Sequence, residues 1–149
     1  MNLSELCNRS AVIAYPDMSL ADAALLMRVR HVGSLVIVGE RLGERVPVGM
    51  LTDRDIVVAT VAQDLDPRAI KVGDIMTREL VTVAENATVT DALSLMRERG
   101  IRRLPVVNDQ GTVAGIVALD DLLAAMTAEL NAFARIVDWQ RVREACLRR

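Results

Sequence analysis

The sequence predicts an α/β (α+β) protein: two β-α-β-β-α repeats packed about a pseudo-twofold axis, followed by a long C-terminal helix. Three observations predict it. First, the stretch Leu20–Met27 (LADAALLM) returns as Val89–Met96 (VTDALSLM), so that Asp22 matches Asp91 and Met27 matches Met96, a shift of 69 residues. Val32–Val38 returns as Ile101–Val107 at the same shift, and Val48–Ile56 returns as Ala114–Leu122 at a shift of 66. The later copy has lost three residues around Asn108-Asp-Gln-Gly111. Repetition at a fixed spacing means that one supersecondary unit is used twice. Second, within each copy apolar residues change from helical to strand spacing in the same order. Third, Ala118 to Arg149 contains neither Gly nor Pro, so nothing breaks the last helix.

Each copy opens with a short β-rich run, Ala11–Ala14 or Leu80–Val83, followed by a polar turn, Pro16–Ser19 or Glu85–Thr88. The helix that follows places Leu20, Ala23, Ala24 and Met27 on one face. Ser19 and Thr88 stand where a hydroxyl accepts from the free N–H groups of the first turn. Gly100 stands where the second of these helices needs a left-handed stop, and His31 occupies the matching place in the first copy. Two strands come next, Leu35–Val38 with Val46–Leu51 and Leu104–Val107 with Thr112–Val117, with turns expected at Gly39 and at Asn108–Gly111. Their runs are apolar on both faces, which places helices on one side of each sheet and the other repeat on the other. A second helix closes each copy, from about Arg54 and from about Asp120. These limits give a first domain at 8–66, a second at 74–130 and a helical extension at 131–149, with Asp64–Gly73 as the linker. On the extension Leu122, Met126, Leu130, Phe133 and Val137 share one helical face. Trp139, Val142 and Cys146 are read as continuing it. Either core packing or a homodimer contact would use that face.

Apolar residues make up 52% of the 149 and charged residues 26%, the balance of a globular chain rather than a disordered one. The aromatics are Tyr15, Phe133 and Trp139, so no platform for stacking single-stranded bases is present. A net charge of −2 opposes bulk binding to nucleic acid or anionic lipid. The residues a nucleic acid would meet are Arg135, Arg141, Arg143, Arg148 and Arg149 on the last helix. Cys7 and Cys146 form no framework, and one histidine, His31, makes a Cys/His zinc site improbable. The N-terminus lacks the basic and apolar regions of a signal peptide. No run approaches the ~20 apolar residues of a membrane span. A cytoplasmic location is expected.

The block Gly49-Met-Leu-Thr-Asp-Arg-Asp55 has the form Gly-h-h-Thr-x-x-Asp at the end of a strand. Val72-Gly-Asp-Ile-Met-Thr77 and Arg102-Arg-Leu-Pro-Val-Val107 accompany it. In this order, inside a duplicated β-α-β-β-α unit, these pieces resemble the cystathionine-β-synthase (CBS) domain, two of which form the pair called a Bateman module. The resemblance covers roughly residues 8 to 130. It implies binding of an adenosine compound, AMP, ADP or ATP, with NAD and S-adenosylmethionine as further candidates, in a cleft between the repeats. It also implies no required cofactor and a regulatory output through an effector protein in trans, from a homodimer.

By the same resemblance Thr52 and Asp55 serve the ribose or phosphate, Asp121 is the second-copy aspartate, and Arg102 or Arg103 meets phosphate from the facing repeat. A carboxylate accepts two bonds from a vicinal diol, and a helix N-terminus favours phosphate. Thr52-x-x-Asp55 equally fits a capping box, as do Ser19-x-x-Asp22 and Thr88-x-x-Asp91, and the spacing leaves both readings open. The arginines fit a solvated charged face as well as a phosphate site. Copy one has Gly33-Ser34 where copy two has Arg102-Arg103, and copy two has Ala118 where copy one has Thr52. One sound site beside a compromised one is therefore expected. A structural or interaction module with decayed nucleotide sites is the alternative. No nucleophile–base set, P-loop or GxGxxG is present, so no enzyme activity is expected.

Overall fold

The structure, a computed structural model, describes residues 2–147. A first turn of helix α1 (Leu3–Leu6) precedes strand β1 (Ile13–Ala14), helix α2 (Leu20–Arg30), the hairpin β2 (Ser34–Arg41) and β3 (Glu44–Thr52), and helix α3 (Asp53–Ala59). After a 3-10 turn at Val61–Gln63 come helix α4 (Val72–Ile75), strand β4 (Val83–Ala84), helix α5 (Val89–Arg99), the hairpin β5 (Arg103–Val107) and β6 (Val113–Ala118), and helix α6 (Leu119–Leu147). Each repeat forms a three-stranded sheet, β1-β2-β3 or β4-β5-β6, with its first pair parallel and its second antiparallel. The symmetry reaches into detail. The register slips between Ile37 and Val38 in one hairpin and between Val106 and Val107 in the other. No helix among the described residues is long and apolar enough to cross a membrane.

The caps follow the sequence. Ser19 Oγ accepts from the Asp22 N–H at 3.1 Å, and Thr88 and Asp91 form a full capping box. His31 (φ 53°) and Gly100 (φ 63°) both end their helices in the left-handed conformation. Some strand limits differ from those read from sequence. The first strand of each repeat is only two residues long, although Val12 still packs in the first core and its carbonyl accepts from the Val36 N–H at 3.0 Å. The first hairpin does not turn at Gly39, which pairs with Val46 inside the sheet. It turns at Leu42 (φ 53°) and Gly43 (φ 79°), since two successive positive φ angles match the strand twist and suit a two-residue hairpin loop.

The segments ahead of each repeat cross over. Leu3, fully buried, and Cys7 pack with Val83, Met96, Leu104 and Leu122 of the second repeat. Val72, fully buried, packs with Leu20, Leu35 and Leu51 of the first, and Ile70, Ile75 and Met76 lie against the same core. Burying a side chain such as Leu3 contributes about 2 kcal/mol, so these turns tie the repeats together. Asp64–Gly73 is therefore more than a spacer, as its last residues lead into a helical turn that completes the first core. The repeat also begins earlier than Ala11 and Leu80, for Leu3, Leu6 and Cys7 match Val72, Ile75 and Met76 at the same shift of 69.

Helix α6 is one element from the end of β6 onward. Its first turns pack on α1, α5 and β6, with Leu122 fully buried. Beyond them Leu130, Phe133 and Trp139 are 66%, 64% and 74% exposed. The face thus adds nothing to the monomer core past Leu122. At about 100° per residue, Trp139, Val142 and Cys146 lie on the side opposite Val137, so they form a second stripe rather than a continuation of the first. Arg148 and Arg149 lie outside the described residues.

Candidate functional site

A cleft of about 330 Å³ opens between the two repeats. From the first repeat it takes Met50 and Thr52 at the end of β3. From the second it takes Glu79, Leu80 and Val81 ahead of β4, and Arg99, Ile101, Arg102 and Arg103 at the end of α5 and the start of β5. Thr77 lies at the junction, where its N–H donates to the Met50 carbonyl at 2.9 Å. That bond lays the chain against β3 just before it enters the second repeat. The walls are apolar at Met50, Leu80, Val81 and Ile101, and the rim is cationic. A slot of this kind, apolar with a few convergent polar groups, is the usual form of a small-ligand site.

The structure brings Thr52, Arg102 and Arg103 together in this cleft, although Thr52 is about fifty residues from the arginines in sequence. Asp55 and Asp121 are not among its lining residues. Asp55 Oδ2 accepts from the Thr52 N–H at 2.8 Å, and the Asp55 N–H donates to Thr52 Oγ1 at 3.1 Å. Thr52 and Asp55 are thus a capping box of α3, as the spacing allowed, and the threonine O–H remains able to donate. Asp121 Oδ2 accepts from the Ala118 N–H at 3.1 Å in the matching cap of α6. Ala118 pairs with Arg103 across β5 and β6, so Asp121 stands one helical turn from the cleft's cationic edge.

Arg102 donates from a terminal guanidinium nitrogen to Asp120 Oδ1 at 3.1 Å, with both side chains largely exposed. Such a surface pair contributes at most about 1 kcal/mol, little enough for an anion to displace the carboxylate. Arg99 and Arg103 have no carboxylate partner within ion-pair distance among the described residues. Three guanidinium groups against one acid, Glu79, leave the rim positive in a chain of net charge −2. No cluster of three or more His, Cys, Asp or Glu able to hold a metal ion is present among the described residues.

The asymmetry between the copies now has a spatial meaning. The cleft takes its strand end from one repeat and its cationic residues from the other. At the positions that match them under the repeat stand Ala118 for Thr52 and Gly33-Ser34 for Arg102-Arg103. The Asp53 N–H donates to the Gly33 carbonyl just as the Leu119 N–H donates to that of Arg102, which confirms the match. Thr52 of one copy and the two arginines of the other therefore line one cleft, and Ala118, Gly33 and Ser34 are not among its lining residues. Sequence reasoning missed Met50, Glu79, Leu80, Val81 and Ile101 as lining residues. The signal available was Leu80–Val83 standing beside a repeat boundary, which by itself reads only as a strand.

A family model of the CBS domain matches residues 3–62 and 72–128. The chain belongs to the CBS domain family. A CBS domain-containing protein of Bacillus subtilis, YhcV, is 43% identical over 107 residues, which cover 72% of each chain. An uncharacterized protein of Methanopyrus kandleri is 37% identical over 83% of this chain, which spans 61% of that relative's length. Among solved structures, the CBS domain pair of protein MJ0100 in complex with 5′-methylthioadenosine and S-adenosyl-L-methionine superposes with a TM-score of 0.75 at 27% identity. It covers 87% of this chain and 98% of that one. Two CBS domains in one chain make a regulatory module.

Proposed function

We propose that this CBS pair senses an adenosine-containing nucleotide, AMP, ADP or ATP, in the cleft of Thr52, Arg102 and Arg103, and acts in trans as a cytoplasmic homodimer on a separate effector protein. The observation that carries the reading is the convergence of an apolar slot, a capping threonine and three arginines on one side of the pair. Met50, Leu80, Val81 and Ile101 would flank the adenine ring. Thr52 would serve the ribose, with Asp55 holding it in place, and Arg102 and Arg103 would meet phosphate. Guanidinium groups suit phosphate because their donors match its oxygens two at a time. The adenosine ligands of the MJ0100 pair support the ligand class. Exposed Leu25, Val29, Val57 and Val58 on α2 and α3 and the bare face of α6 support self-association. Ligand binding would change effector affinity only through contacts that differ between two states of the module.

Calorimetric titration of AMP, ADP, ATP, NAD and S-adenosylmethionine into the wild type and Arg103→Ala tests this. Losing a hydrogen bond to a charged group costs about 1.5–3 kcal/mol, so the variant is expected to bind a nucleotide phosphate roughly 10- to 100-fold more weakly. Absence of heat with every ligand sinks the reading. A heat undiminished in the variant moves the ligand out of this cleft.

A further inference from the structure

We infer that the bare part of α6 pairs antiparallel with α6 of a second copy of this chain, which specifies the surface behind the homodimer proposed above. Leu119, Leu123, Met126, Leu130, Phe133 and Val137 are spaced 4, 3, 4, 3 and 4 apart, the alternation of a coiled-coil seam. Leu119 is partly buried against the second core, whereas the other five are at least 40% exposed. The monomer therefore forms the seam and leaves it uncovered.

Charge fixes the direction. From Leu119 to Ala134 the helix carries Asp120, Asp121 and Glu129 and no base, while residues 135–147 carry Arg135, Arg141 and Arg143 against Asp138 and Glu144, a formal charge of −3 against +1. Parallel pairing would set the acidic halves side by side. Antiparallel pairing sets each acidic half against the half that carries the arginines and is positive by one charge. Aligning the last four seam residues, Met126 to Val137, with themselves puts Met126 opposite Val137 of the second copy and Leu130 opposite its Phe133. In that register Asp120 comes opposite Arg143 of the second copy, and the two globular bodies fall toward opposite ends of the helix pair.

Sedimentation of the full chain tests the surface. The wild type is expected to be a dimer at micromolar concentration, and Leu130→Glu/Phe133→Glu a monomer that keeps its circular dichroism and its nucleotide affinity, because neither side chain enters a core. A monomeric wild type overturns the inference and the homodimer together, and leaves the seam to a different protein. A variant that sediments as the wild type overturns the seam alone and returns the dimer contact to α2 and α3. Direction is read by disulfide formation in a Cys146→Ser background. Met126→Cys chains are expected to cross-link with Val137→Cys chains and not with themselves. Self-cross-linking of Met126→Cys overturns the antiparallel arrangement.

Discussion

The Thr77 carbonyl oxygen lies 2.7 Å from the point where a Cβ on Gly49 would stand, with Met76 Sδ at 2.8 Å. The same relation holds in the other repeat, where the Asn8 carbonyl oxygen lies 2.7 Å from a Cβ on Gly115. The glycine of Gly-h-h-Thr-x-x-Asp is therefore set by the chain that crosses over it, and that chain leads directly into Glu79, Leu80 and Val81 of the cleft. Gly49→Ala is expected to push Thr77 off β3. The cost is about 1–3 kcal/mol, that of inserting a methyl group where there is no space, read as a lowered denaturation midpoint. Nucleotide affinity should fall with it, because the cleft wall moves. Gly49 has no positive φ, so the expected cost is that of the close contact and not of left-handed backbone strain.

The crossover makes a second prediction, because Leu3 belongs in space to the repeat that begins some seventy residues later. Leu3→Ala is expected to destabilise the second core by about 2–5 kcal/mol, the cost of an unfilled cavity. Val72→Ala should act in the same way on the first core, at the lower end of that range for its smaller side chain. Hydrogen exchange checks the assignment. Protection should fall first in β4–β6 for Leu3→Ala and first in β1–β3 for Val72→Ala. The reverse pattern would show that each turn serves its own repeat.

Most elements were legible because their signals are local. Ser19, Thr88 and Gly100 announce helix ends, and the apolar spacing from Leu20 to Met27 announces a face. The crossover was not legible, since Leu3 and Val72 are short apolar segments whose partners lie across the chain, and only tertiary packing chooses between the two repeats. Thr52 and Asp55 were legible as a pair but not as a role, because a helix cap and a ligand contact use the same spacing. The cleft was half legible. Thr52, Arg102 and Arg103 were each visible, but their convergence depends on β3 of one repeat ending beside β5 of the other. The bare α6 was visible as a stripe, and the sequence could not say that the monomer leaves it uncovered.

Helix α5 carries a pH dependence. Asp91 Oδ2 accepts from the Thr88 hydroxyl at 2.7 Å and from the Thr88 N–H at 2.9 Å. These bonds, the hydroxyl's first, hold its pKa below the ordinary 3.8. A depressed folded-state pKa means stability that is present above the unfolded value and lost as pH falls through the folded one. Asp91→Asn is therefore expected to destabilise α5 at pH 7. The difference from wild type should shrink as the pH drops below about 4, the unfolded carboxylate range. Denaturant midpoints measured at pH 7 and across the acid range would show it. A difference constant with pH would mean that the carboxylate charge contributes nothing to the cap.

The division into a favourable and a poor cleft predicts stoichiometry. One nucleotide is expected per chain, because Thr52, Arg102 and Arg103 face one cleft while Ala118, Gly33 and Ser34 occupy the matching places of the other. Ser34→Ala is then expected to be silent in binding, although it is the pseudo-symmetric partner of Arg103. Arg103→Lys should recover only part of the affinity lost in Arg103→Ala, since an ammonium group supplies charge without the paired planar donors of a guanidinium. Titration of the three variants in parallel distinguishes one site from two. Two equivalents per wild-type chain, or a loss in Ser34→Ala equal to that in Arg103→Ala, would mean that the symmetry-related cleft binds as well. In that case affinity would come from the apolar walls the two clefts share, and the arginines would act mainly in drawing the phosphate toward the rim.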